Sequence, residues 1–159
     1  MTNQLENKKM SVSIIVAYLH YLSFMLAFAA LTLEAFILKM ELSVQDAWKI
    51  VIADAVYGIS AVSILATGAL RVLYFGKGTE FYLNNPFFYV KVSIFLVVGL
   101  LSLYPTICFI QWIKDLQQNQ LPQLEEKKTN RLLWLIRTEL VGFTLIPLMA
   151  ATMARYLPS

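Results

Sequence analysis

The sequence is poor in charge and in the residue types from which polar active sites are built. Only 14% of its 159 residues are charged, against roughly 25% in an average soluble domain, whereas 58% are hydrophobic. The charges nearly cancel, since 13 Lys+Arg against 10 Asp+Glu leave +3. That field is too weak for a nucleic-acid binder. The single cysteine, Cys108, excludes an internal disulfide and a Cys-pair zinc site. It also has no histidine near it in sequence, so no thiol–imidazole pair is signalled. The segment Gly76-Lys77-Gly78-Thr79 lacks the upstream glycine and the preceding strand of a phosphate-binding loop, and reads as a turn. Strand alternation and internal repeats are missing as well.

What the chain has in abundance is long apolar runs. A helix needs about 20 mostly apolar residues to cross ~30 Å of hydrocarbon. Four stretches qualify, at residues 12–38, 47–73, 87–113 and 132–154. Bare backbone cannot cross lipid and sheets must close to do so, so these runs predict helices. The connections, 39–46, 74–86 and 114–131, are short and polar, which makes consecutive helices antiparallel neighbours. The expected fold is therefore all-α: one domain over residues 1–159, an integral-membrane antiparallel four-helix bundle with both termini on one side. Pro122 suits the first turn of a helix running into the fourth span. Pro105 and Pro147 fall inside spans and predict kinks. Lys8 and Lys9 ahead of an apolar run, with Ala27-x-Ala29 beyond, imitate a secretory signal. The run continues to Leu38, however, which is longer than a signal core, and a retained span is expected.

Let face A carry the N-terminus, the second connection and the C-terminus, and face B the other two connections. Basic residues divide almost evenly between the faces, with the Lys114–Arg131 connection tilting the cytoplasmic assignment toward face B. Trp48, Trp112 and Trp134 fall at face B, and Tyr18, Tyr74, Tyr82, Tyr89 and Tyr156 near face A, as in an interfacial aromatic belt.

Ionisable residues within spans are expensive and therefore informative. At ~1.5 Å per residue, His20 sits about 12 Å below face A, Lys91 about 6 Å below it, and Arg71 almost at it. Glu34, Asp54, Arg137 and Glu139 lie roughly 6–10 Å below face B. Threading thus sorts them into two layers. In the upper layer His20 is a candidate axial ligand for haem iron, with Arg71 and Lys91 placed to steady carboxylates. Alternatively, His20 hydrogen-bonds a neighbouring helix and the two cations snorkel to headgroups. Gly58 and Gly68 would let a flat macrocycle or another helix approach. In the lower layer, Arg137 bridging Glu34, Asp54 or both would form a structural polar network, with Glu139 turned to a different neighbour. A proton path through these carboxyls is the functional alternative.

Tyr18-Leu19-His20-Tyr21, Ala66-Thr67-Gly68-Ala69-Leu70-Arg71 and Asn85-Pro86-Phe87-Phe88-Tyr89-Val90-Lys91 together resemble a bacterial family of predicted four-helix membrane proteins, a domain of unknown function. That resemblance covers nearly the whole chain and implies a fold. A looser one, through His20 and Lys91, is to the haem-containing bacterial membrane protoporphyrinogen oxidase. Where that family has an Arg–aromatic and a Tyr-His pair after its first span, this chain has Glu34-Ala35-Phe36-Ile37-Leu38-Lys39. The likeness therefore implies porphyrin binding more than the oxidase reaction.

Three functions are expected in descending order. The first is a haem b- or porphyrin-binding membrane protein, redox- or tetrapyrrole-related, with His20 as the metal ligand. The second is a non-catalytic subunit or assembly factor acting in a homo-oligomer or larger complex. The third is a small proton-coupled transporter. All three place the chain in a lipid bilayer, of the bacterial inner-membrane type, without nucleic acid.

Overall fold

The computed structural model describes residues 2–122 and 125–156. Helices α1 (Thr2–Ile37), α2 (Val44–Leu70), α4 (Pro86–Gln117) and α5 (Glu126–Arg155) are the four long elements. All four are long and apolar enough to cross a membrane. A five-residue π-helical segment, Arg71–Phe75, continues α2, and the short α3 (Thr79–Leu83) fills much of the second connection.

The helix starts follow local chemistry. Ser43 caps α2 by accepting from the Asp46 amide at 3.1 Å. Asn85 caps α4 through the Phe87 amide, also at 3.1 Å, and Pro86 follows it in the first turn, where its missing N–H costs nothing. The Asn85 amide group then donates to the Met153 carbonyl, so the same side chain ties the start of α4 to the end of α5. Pro122 does not open the last helix, which begins only at Glu126; residues 123 and 124 lie outside the described set. Pro105 and Pro147 sit inside α4 and α5, and both helices continue through them.

The bundle is a ring of four. Helix α1 packs mainly on α2, and α4 mainly on α5; contacts between α2 and α4 and between α1 and α5 close the ring. The diagonal pairs α1–α4 and α2–α5 make no comparable contact among the described residues. The core contains Leu31, Ile50, Phe109, Leu132, Ile136 and Phe143. Phe143 stacks at 5.3 Å on Phe24 and at 6.0 Å on Tyr57, joining three helices through one ring. Close approach of α4 and α5 depends on Gly142, where a Cβ would stand 2.4 Å from a Val98 methyl.

Most lipid-side positions are apolar and exposed, Phe36, Ile59 and Leu100 among them. The aromatic belt is only partly realised. Tyr18, Tyr74, Tyr89 and Trp134 are exposed, whereas Tyr82 and Trp112 are core residues, Trp112 packing on Phe109 at 4.9 Å. Depth along a helix axis follows from residue number, but the side of the helix does not. That is why these two escaped the belt assignment.

Candidate functional site

The upper polar layer assembles around His20. Its Nδ1 lies 2.9 Å from the Thr67 hydroxyl across the α1–α2 interface. Thr67 also donates to the Ser63 carbonyl of its own helix. A hydroxyl has one hydrogen; with it directed at Ser63, the Thr67 oxygen accepts from a protonated Nδ1. The Ile64 carbonyl, 3.3 Å from the same hydroxyl, is a second acceptor for its hydrogen. Nε2 of the neutral ring therefore keeps its lone pair.

Gly68 lies beneath this ring: a Cβ there would be 3.4 Å from His20 Cε1, an ordinary contact. Arg71 and Lys91 both act electrostatically on His20, and Arg71 acts on Lys91. The three residues chosen from the sequence are thus brought together by α1, the junction of α2 with its π-helical extension, and α4. Arg71 is held over the Tyr21 ring at 4.9 Å. The π-helical turn begins at this arginine, and its last carbonyl, Phe75, accepts from Ser13 of α1 at 3.0 Å. Single wide turns of this kind recur at functional sites. Among the described residues neither Arg71 nor Lys91 has a carboxylate partner, the two ion pairs being Lys39–Asp46 and Lys49–Asp46 at face B.

The lower layer takes one polar residue from each long helix. Asp54 of α2 accepts a 2.8 Å hydrogen bond from Thr106 of α4. Glu34 of α1 and Glu139 of α5 come to the same level, where the charges of Asp54 and Glu139 act on Glu34. Glu34 and Glu139 are each 1% exposed and Asp54 6%. The expected network with Arg137 does not form. Arg137 is exposed and makes no ion pair among the described residues. The reason is helical: at ~100° per residue, two positions separate Arg137 from Glu139 by about 200°, so one faces inward and the other outward. Glu139, expected to seek a different neighbour, instead joins the other acids.

Sequence reasoning missed Thr106 and Tyr57; for Thr67 it expects either a bond to its own helix or a pair across helices, and Thr67 makes both, to Ser63 and to His20. Tyr57 is buried between the layers, beside the Ser102 hydroxyl. Asp54, Tyr57, Ser60 and Thr67 are all buried on one face of α2, and their spacing of three, three and seven is the signal that would have found the stripe.

Two cavities lie elsewhere. One of about 390 Å³ is lined by Phe87, Leu148, Ala151, Thr152, Arg155 and Tyr156. The other, of about 160 Å³, adjoins Glu80, Phe81, Asn84, Asn85 and Tyr156. Neither touches His20. No group of three His, Cys, Asp or Glu side chains is gathered for a metal ion among the described residues.

Four apolar spans, turned inward by two polar layers, correspond to a family defined by its membrane character. The model of the predicted membrane proteins designated DUF2214 matches residues 12–156. The chain belongs to the DUF2214 family. It is accordingly a multi-pass membrane protein: the matched region takes in most of α1 and the whole of the other three apolar helices of the DUF2214 bundle. No curated protein and no solved structure matches the chain, and the likeness to protoporphyrinogen oxidase gains no support.

Proposed function

We propose that the protein binds haem b or a related carboxylate-bearing porphyrin in a bacterial inner membrane, with His20 as axial ligand. The observation that carries this reading is the hydrogen bond from His20 Nδ1 to Thr67, whose own hydrogen goes to the Ser63 carbonyl, which leaves the lone pair of the neutral ring on Nε2. Arg71 and Lys91, without carboxylate partners among the described residues, supply charge suited to propionates. When bound, such a group would supply electron-transfer or tetrapyrrole chemistry. The chain's own residues orient the imidazole and neutralise the acid groups. Protein purified in detergent after expression with ample haem should show a Soret band, strongly reduced in His20→Ala and shifted or weakened in Thr67→Val. A wild-type protein without that band overturns the proposal.

A second reading, association with a like chain or a larger membrane complex, is favoured by Gly58 and Gly99. A Cβ at either would meet nothing within 4 Å, so no contact within this chain requires a glycine there. Mid-helix glycine costs about 1 kcal/mol relative to alanine in a soluble helix, and small residues let membrane helices approach. Gly58→Leu should leave the bundle folded and reduce the mass of a native assembly. An unchanged mass removes this reading.

A further inference from the structure

The lower layer is used by neither reading. Glu34 and Glu139 each have an Oε1 buried with no hydrogen-bond partner, and both side chains are at least nine-tenths buried. Three carboxyl groups from three helices therefore share one level of the bundle, with Thr106 as the donor observed, to Asp54. Helix α1 presents Glu34, α2 presents Asp54 and Tyr57, α4 presents the hydroxyls of Thr106 and Ser102, and α5 presents Glu139. No cation is among them; Arg137 is on the outer side of α5.

Three adjacent carboxylates in this position would combine mutual repulsion with loss of water, and the Thr106 hydroxyl offsets only part of that, at Asp54 alone. A metal ion is a poor remedy, because the ligands do not converge as a cation shell. A proton is the ligand that removes charge while giving a carboxyl oxygen a donor to share. We infer that Glu34, Asp54 and Glu139 form a proton-binding site inside the bundle, exchanging protons with the water at face B.

The atom balance is simple: a proton adds to a carboxylate oxygen on uptake and returns to water on release, with no redox change. The site is independent of porphyrin binding, so either proposal can fail alone.

Infrared spectroscopy of the full chain in lipid nanodiscs at neutral pH tests it. The expected result is a carbonyl stretch from protonated carboxyls, displaced on transfer to heavy water, with one carboxyl's amplitude lost in Glu34→Gln or in Glu139→Gln. Both variants preserve shape, and circular dichroism reports whether they fold. The wild-type spectrum decides even if they do not. Absence of the band overturns the inference. So does a band that heavy water leaves in place, since the proton would then be sealed from solvent. Carboxylate bands that move with sodium or potassium chloride would identify a bound monovalent cation instead and equally overturn it.

Discussion

Phe143→Ala should destabilise the folded bundle by about 2 kcal/mol, from a cavity term of ~24 cal/mol per Å³ over roughly 100 Å³ of lost side chain. The usual cost in water-soluble cores is higher, about 3–5 kcal/mol, because part of it is transfer of the ring from water. In a bilayer that part disappears, for lipid tails are as apolar as the core, and only packing is lost. Phe143 is 1% exposed and touches rings on α1 and α2 as well as its own helix, so little around it can collapse to fill the space. Reversible unfolding in mixed micelles measures the effect. A loss near zero would mean that the three helices do not meet at this ring.

Gly142→Leu should be comparably damaging, by about 1–3 kcal/mol, through overpacking. The Val98 methyl that a Cβ would strike belongs to a buried residue, and the rest of a leucine would have to force α4 from α5. The same unfolding measurement should show partial rescue when Val98→Ala is added. Independent, additive effects would deny that the two residues touch.

The fold was legible because length and apolarity suffice to call membrane helices, and their direction follows from alternation across short connections. The site was legible in one dimension. Residue number gave depth, which grouped His20 with Arg71 and Lys91, and Glu34 with Asp54 and Glu139; the members of each group act on one another electrostatically. Rotation about each axis was harder to read, since lipid and core are both apolar and the hydrophobic pattern hardly distinguishes inside from outside. Arg137 was consequently assigned to the interior although its spacing from Glu139 already argued otherwise. The wide turn at Arg71 left no compositional trace, and Thr106 carried no signal of its own because a threonine in a membrane helix can equally bond its own backbone, as Thr32, Thr138 and Thr152 do.

The pairing of α1 with α2 and of α4 with α5 has a consequence for biogenesis. Each hairpin holds only part of either ionisable level: the first brings His20, Glu34 and Asp54, the second Lys91, Thr106 and Glu139. Insertion therefore delivers two incomplete halves, and Asp54 acquires its hydroxyl donor only when the later half docks. Polarity, more than greasiness, gives the halves a reason to find one another in a solvent where every apolar surface is already content.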